Sequence, residues 1–185
     1  RIKQINIIGN QVYKEKRLLK LFSLQTPGLL TWFTKEDQYS KQKLSADIEA
    51  LRSYYLDHGY LEFNIDSTQV SITPDMRDIY ITLNMTEGPQ YTVSDIKLAG
   101  ELIVPEEELR KLIKLEVGGV FVREKLTESI KLISDRLGDD GYAFANVNAA
   151  PELDKETRQT AFTFFIDPGR RVYVRRINIS GNERT

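Results

Sequence analysis

One short segment of this chain occurs three times. IKQINIIGN begins the chain, VSDIKLAGE lies in its middle, and VRRINISGN lies near its end. The glycines of these segments, Gly9, Gly100 and Gly181, are spaced 91 and 81 residues apart. A repeat of this length indicates tandem copies of one supersecondary unit rather than a large domain around a single catalytic site. We therefore expect two small domains and the opening strand of a third.

Other landmarks keep nearly the same spacing. Gly59-Tyr60 is followed 82 residues later by Gly141-Tyr142, and Gly88 is followed 81 residues later by Gly169. The first unit is longer, and the excess lies before its second helix, in PGLLTWFTKEDQY. The predicted domains are residues 1–88 and 91–170, with residues 172–185 as the first strand of a truncated further domain.

The pattern of each unit predicts the element order βααββ in an α+β fold. In the first unit, helices are expected over residues 14–22 and 40–58, and a strand over 79–85 in which apolar and polar residues alternate. The second unit has its longer helix over residues 124–137. Gly59 and Gly141 are expected to end the longer helices in the left-handed conformation. Each unit is then a three-stranded sheet covered on one face by two antiparallel helices.

The strand predicted over residues 60–73 changes phase. Leu61, Phe63 and Ile65 follow one alternation, whereas Val70 and Ile72 follow the other. Side chains alternate with period two along a strand, so a change of phase requires an extra residue or a break. One interpretation is a β-bulge between residues 66 and 69. The alternative is that Val70 and Ile72 lie on the exposed face of an edge strand.

An uncovered sheet edge carries free N–H and C=O groups that pair with an extended segment. We predict that the edge strand of the first unit binds partners in this way. Its residues are Ser67, Thr68, Gln69, Val70, Ser71, Ile72 and Thr73. The long loop supplies possible accessory contacts at Leu24, Gln25, Leu29 and Leu30. Of two proline substitutions, at Gln69 and at Ser71, only one is expected to block binding, because backbone donors alternate in direction.

Composition and motifs give no support for catalysis. The 185 residues carry a net charge of −1, which does not favour nucleic acid, and there is no cysteine. The single histidine, His58, precedes Gly59 at a helix end, where histidine suits the negative helix terminus. Asp139 and Asp140 alone are a weak metal signal. We therefore predict no enzymatic activity, no metal and no cofactor.

Several segments resemble a known family. QINIIGN, LRSYYLDHGYLEFNIDSTQV (residues 51–70) and IYITLNMTEG closely resemble the polypeptide-transport-associated (POTRA) domains of the outer-membrane β-barrel assembly factors, and the resemblance covers essentially the whole chain. The first unit resembles the third of five such domains, because of its long loop, and the second resembles the fourth.

The resemblance implies a mixed sheet of strand order 1-3-2, in which the second strand is a free edge. It also implies a periplasmic location in a Gram-negative bacterium and a protein anchored by a C-terminal barrel that this chain lacks. The implied function is non-enzymatic docking of unfolded outer-membrane proteins by β-augmentation. The implied partners are a BamB-like propeller lipoprotein at the first unit and other lipoproteins at domains missing here. The alternative function is a rigid spacer.

Overall fold

The computed structural model of the chain describes residues 2–23 and 37–172, with side chains described for residues 2–23 and 41–172. These residues form two compact units, each built on a three-stranded sheet. The elements of the first unit are β1 (Ile2–Ile8), α1 (Glu15–Leu19), α2 (Asp37–Leu56), β2 (Asn64–Ile72) and β3 (Ile79–Thr86). Those of the second are β4 (Thr92–Gly100), α3 (Glu106–Leu112), α4 (Arg123–Asp139), β5 (Asn146–Asp154) and β6 (Gln159–Asp167).

The two sheets share one topology. The strand order is β1-β3-β2 in the first and β4-β6-β5 in the second, so the last strand of each unit is central. In the first sheet β1 runs parallel to β3 and β2 runs antiparallel to it. The predicted α+β class, mixed sheet and 1-3-2 order are therefore confirmed.

The core of the first unit lies between one face of its sheet and the two helices. Alternation along β3 is complete, with every second residue from Ile79 to Met85 buried. The other buried apolar side chains come from β1, from the two helices and from the turns that follow them: Ile5, Ile7, Leu18, Phe22, Leu51, Tyr55, Tyr60 and Phe63. The second unit repeats this arrangement, with Phe162, Phe164 and Ile166 of β6 buried together with Leu109, Ile133 and Leu137 of its helices.

The largest differences between predicted and observed boundaries are three, all in the first unit. The first helix ends at Leu19 instead of continuing to Phe22, because the chain tightens there into bonds between residues three apart, such as the Phe22 N–H to the Leu19 carbonyl at 3.1 Å. The second helix begins at Asp37 rather than at residue 40. The strand predicted from residue 60 begins only at Asn64, because residues 60–63 form a turn.

Both longer helices end in the predicted way. Gly59 has φ +90° and Gly141 has φ +93°. The following N–H groups reach back five residues, from Tyr60 to the Tyr55 carbonyl and from Tyr142 to the Leu137 carbonyl, each at 3.0 Å. This is the Schellman pattern, in which glycine adopts the left-handed conformation without a steric penalty.

The repeated glycine at the end of the first strand has a direct structural reason. Gly9 has φ +101°, and a Cβ added there would lie 2.0 Å from the carbonyl oxygen of Met85. Gly100 has φ +91°, and its added Cβ would lie 2.2 Å from the carbonyl oxygen of Ile166. In both units the end of the first strand therefore lies against a backbone carbonyl of the central strand. No side chain fits at that contact.

Candidate strand-binding edge

The edge strand β2 contains a bulge. Ile65 pairs with Met85 of β3, whereas the next pair is Ser67 with Asn84, so Asp66 is an extra residue. The bulge lies at the start of the predicted interval. Its extra residue shifts the alternation of side chains, so that Ile65 before it and Val70 and Ile72 after it lie on the same face of the sheet. The inserted residue was therefore predicted correctly from the change in alternation.

The apolar side chains after the bulge lie on the core side of the sheet, yet they remain exposed. Val70 pairs with the buried Ile81 and Ile72 pairs with the buried Ile79, and residues directly opposite each other share one face. Nevertheless, Val70 is 52% exposed and Ile72 is 45% exposed. Each of the two sequence interpretations was half right: the strand bulges, and these side chains are still not covered.

The hairpin after β2 fixes the direction of its backbone groups. The Thr73 N–H donates to the Asp78 carbonyl at 2.9 Å, so it points towards β3. Donors alternate along a strand, so the N–H groups of Ser71 and Gln69 also point towards β3. The alternate residues direct their N–H and C=O groups away from the sheet: Thr68, Val70 and Ile72.

The direction of the β2 N–H groups changes the expected effect of the two proline substitutions. Gln69 and Ser71 are two residues apart, so their N–H groups point the same way, and the expectation that only one of them would block binding was wrong. Proline at either position removes a bond within the sheet. The substitutions that remove an outward donor are at Val70 and Ile72.

The opposite edge of each sheet is occupied by side chains. In β1 the Ile7 N–H donates to Oε1 of Glu15 at 3.0 Å. In β4 the Ile96 N–H donates to Oδ1 of Asp95 at 2.9 Å, and the Ile96 carbonyl accepts from the Arg110 guanidinium at 3.1 Å. Both strands therefore have backbone groups that are already bonded and cannot pair with an added strand without displacing them.

The remaining edge, β5, is interrupted by proline. Pro151 lies inside the strand, and sheets accommodate proline where the missing N–H would face solvent. The corresponding stretch of β2, residues 67–72, has no proline. Among the edge strands that the structure describes, β2 is therefore the one best suited to accept another strand.

Carboxylates bracket this open stretch. Asp66, in the bulge, accepts bonds from the Thr86 hydroxyl at 2.6 Å and from Nδ2 of Asn64 at 2.8 Å, and these bonds lower its pKa. Asp75, in the hairpin, accepts from the Thr73 hydroxyl at 2.5 Å, and this bond lowers its pKa in the same way. Both groups stay ionised at neutral pH, so the open edge has a negative charge near each end.

A buried carboxylate that sequence reasoning missed holds the first unit together. Glu87 directly follows β3 and is 7% exposed. It accepts the Gln11 N–H at 2.9 Å, the Val12 N–H at 3.1 Å and the Tyr55 hydroxyl at 2.7 Å. Three elements therefore meet at one side chain. The available signal was an acidic residue directly after a strongly alternating strand.

The residues considered for catalysis have structural roles. His58 is half-buried, with its ring 4.3 Å from that of Tyr54 and its Nδ1 2.6 Å from the Tyr54 carbonyl. Asp140 forms an ion pair with Arg136 at 3.0 Å. Within residues 2–23 and 37–172, no group of acidic or histidine side chains is arranged to hold a metal ion, and no helix combines the length and apolarity needed to span a membrane.

Alkaline pH should destabilise the first unit through its tyrosines. Burial raises the pKa of Tyr13 from 10.0 to about 12, and burial also raises the pKa values of Tyr55 and Tyr60. Because the unfolded chain ionises first, this contribution is fully present below about pH 10 and is lost as pH rises through about 12. We expect the free energy of unfolding, measured in urea, to fall over this interval, and to fall less steeply in Tyr13→Phe. An unchanged slope in that variant would contradict the prediction.

Some predicted residues lie outside the described part of the chain. These are the accessory contacts Leu24, Gln25, Leu29 and Leu30, and all of the segment 172–185 except its first residue. Thr73 lies just beyond the end of β2, and the other six predicted edge residues all lie within the strand.

Comparisons with known proteins agree with the fold described above. The family model described as POTRA, surface antigen variable number repeat, matches residues 1–88 and 91–169, so the chain belongs to the POTRA family. The chain is also similar over its whole length to named outer-membrane protein assembly factors. It is 32% identical to BamA of Neisseria meningitidis serogroup B over 186 residues and 30% identical to BamA of Buchnera aphidicola over 185 residues.

The chain covers 23% and 30% of the length of those two relatives, so it corresponds to about a quarter of such a protein. Among solved structures, Haemophilus influenzae BamA POTRA3-5 matches with a TM-score of 0.81 and 26% identity, over 94% of this chain and 68% of that one. The predicted POTRA resemblance and periplasmic location on an outer-membrane protein are confirmed by these matches.

Proposed function

We propose that this chain is a periplasmic docking module of the β-barrel assembly machinery, in which β2 of the first unit binds extended polypeptide by β-augmentation. The observation that carries the proposal is the open stretch of residues 67–72. It lacks the proline of β5 and the hydrogen bonds by which side chains occupy backbone groups of β1 and β4. Its outward N–H and C=O groups are available to a partner strand. The similarity to outer-membrane protein assembly factors supports the same conclusion.

The proposed partners follow from this edge and from the family. They are unfolded outer-membrane proteins and a BamB-like lipoprotein at the first unit. Other lipoproteins would bind further domains, and a C-terminal barrel would anchor the whole protein in the outer membrane. We propose domain boundaries of 1–88 and 91–170, with residues 172–185 opening a further domain. The module has no enzymatic role in this scheme.

A spacer function is the second candidate for the second unit. Its β5 edge contains Pro151, and its β4 edge is bonded by Asp95 and Arg110. A unit whose edges are closed in this way is suited to position neighbouring domains rather than to bind strands. In this arrangement the first unit binds strands and the second unit positions the neighbouring domains.

A negative charge on the open edge should weaken peptide binding. We expect Val70→Asp and Ile72→Asp to weaken binding of a lysine-flanked Val-Thr-Val-Thr-Val-Thr peptide at least tenfold. Each half-exposed side chain contributes part of the roughly 1.5–3 kcal/mol available from full burial, and the new carboxylate is desolvated against the peptide. Peptide binding is measured by fluorescence anisotropy, with folding checked by circular dichroism.

The matched control is Ile8→Asp. Ile8 is also a strand residue, 54% exposed, but it lies on the side-chain-blocked edge strand β1. We expect its binding to stay unchanged. Proline at Val70 should block binding in a folded protein, whereas proline at Ser71 should mainly destabilise the sheet. Full binding by folded Val70→Asp and Ile72→Asp would exclude this edge and leave the spacer function for both units.

A further inference from the structure

We propose that the β2 edge selects strands by their pattern, binding a segment of about six residues in which apolar and uncharged polar residues alternate, with the apolar side chains held on the helix side. This inference rests on the proposed strand-binding function and adds a substrate class to it. The chemistry of the two faces of the edge carries the inference.

The helix-side face of the open edge is apolar. Val70 and Ile72 project there beside one small polar residue, Thr68. The β3 residues opposite these three are Ile81, Ile79 and Leu83, and all are buried. An added strand would place every second side chain next to Val70 and Ile72, because residues paired across neighbouring strands share a face. An apolar side chain at those positions would remove the exposed surface of both residues from water.

The other face is polar and uncharged. Along β2 it presents the exposed Ser67, Gln69 and Ser71. The β3 residues opposite them are Asn84, Thr82 and Tyr80. Nδ2 of Asn84 donates to the Ser67 hydroxyl at 2.7 Å, so part of this face is already ordered. Hydroxyl and amide side chains of an added strand find partners here, whereas an apolar side chain would lie unprotected on an open polar surface.

The length and charge of the segment are set by the two ends of the edge. The bulge at Asp66 interrupts pairing at one end, and the hairpin that begins at Thr73 and Pro74 interrupts it at the other. No charged residue lies between Ser67 and Ile72, whereas Asp66 and Asp75 flank the stretch. Acidic residues beside the bound segment are therefore repelled and basic ones are tolerated. Alternation of this kind is the pattern of strands in membrane β-barrels.

The absence of cysteine from the chain allows a direct test of side-chain phase. Two single-cysteine variants are prepared, Ser71→Cys on the polar face and Val70→Cys on the helix-side face. Each is mixed under oxidising exchange conditions with lysine-flanked Val-Thr-Val-Thr-Val-Thr peptides in which a cysteine replaces either one central Thr or one central Val. A free peptide can slide along the edge. Sliding cannot change the fact that a peptide cysteine replacing Val lies on the same face as the remaining Val side chains, whereas one replacing Thr lies on the opposite face.

We expect opposite preferences in the two variants. Ser71→Cys should form the disulfide about tenfold faster with the peptide whose cysteine replaces Thr, and Val70→Cys should favour the peptide whose cysteine replaces Val. A blocked peptide, Val-Val-Val-Thr-Thr-Thr with lysine flanks, should compete at least tenfold less well than the alternating one. These factors correspond to about 1.4 kcal/mol, part of the free energy of burying one valine.

Two failures can be told apart. Equal rates for both peptides in both variants, well above the rate of an Ile8→Cys control, would overturn selection by phase while leaving strand binding intact. Rates no higher than in the Ile8→Cys control for every pair would overturn the proposed function itself.

Discussion

Alanine at Gly9 should lower the free energy of unfolding of the first unit by about 3 kcal/mol or more, and alanine at Gly100 should do the same to the second unit. Each substitution places a Cβ within 2.2 Å of a backbone carbonyl oxygen in a conformation with φ above +90°. The obstacle is the backbone of the central strand, so the clash is relieved only by moving the end of the first strand away from it. Urea unfolding followed by circular dichroism measures the loss.

Gly118 provides the matched control. It has φ +89°, but an added Cβ would meet nothing within 4 Å. Gly118→Ala should therefore show only the intrinsic penalty of the left-handed conformation, about 1–2 kcal/mol. Equal losses at Gly9 and Gly118 would show that backbone conformation alone, and not the close contact with the β3 backbone, requires glycine at the repeat.

Removing the buried carboxylate should have the second large effect. We expect Glu87→Ala to lower the free energy of unfolding by about 2–4 kcal/mol, because it leaves the Tyr55 hydroxyl and two backbone N–H groups without their acceptor. Glu87→Gln retains one acceptor oxygen and should lose less. Tyr55→Phe should lose about 1 kcal/mol, since it removes one of the three bonds.

The comparison with an exposed acid isolates the effect of burial. Glu49 of α2 pairs with Arg52 at 3.5 Å, and its side chain is 59% exposed. Glu49→Ala should change the free energy of unfolding by less than about 0.5 kcal/mol. In a double-mutant cycle, Glu87→Ala and Tyr55→Phe should couple by at least about 0.5 kcal/mol. Strict additivity of the two would mean that Glu87 acts through the loop after β1 alone.

The sequence predicted the parts of the fold that depend on periodicity. The alternation from Ile79 to Met85 predicted a strand there, and the phase change before Val70 indicated the bulge as one of two interpretations. The apparent continuation of the strand back to Leu61 was misleading, because side chains in the turn over residues 60–63 are buried at a spacing that imitates a strand. Periodicity reports which side of the chain is buried and does not by itself separate a turn from a strand.

The candidate site was only partly predictable for a related reason. The phase of Val70 and Ile72 identifies their face but not how far the helices extend over it, so exposure at the edge required coordinates. The direction of the outward N–H groups depends on the single bond from Thr73 to Asp78 in the hairpin. Glu87 was missed because its partners, Gln11, Val12 and Tyr55, are distant in sequence, and no local pattern shows that they converge.

The shortness of the open edge has a kinetic consequence. Three outward residues between the bulge and the hairpin offer about six hydrogen bonds, each worth roughly 0.5–1.5 kcal/mol net, against an association cost of about 4–15 kcal/mol. From these hydrogen bonds alone, a dissociation constant on the order of 100 μM or weaker follows, and with ordinary association rates a strand so bound stays for about 0.1 s or less. If the proposed strand binding is correct, a strand held so briefly would leave without any energy source.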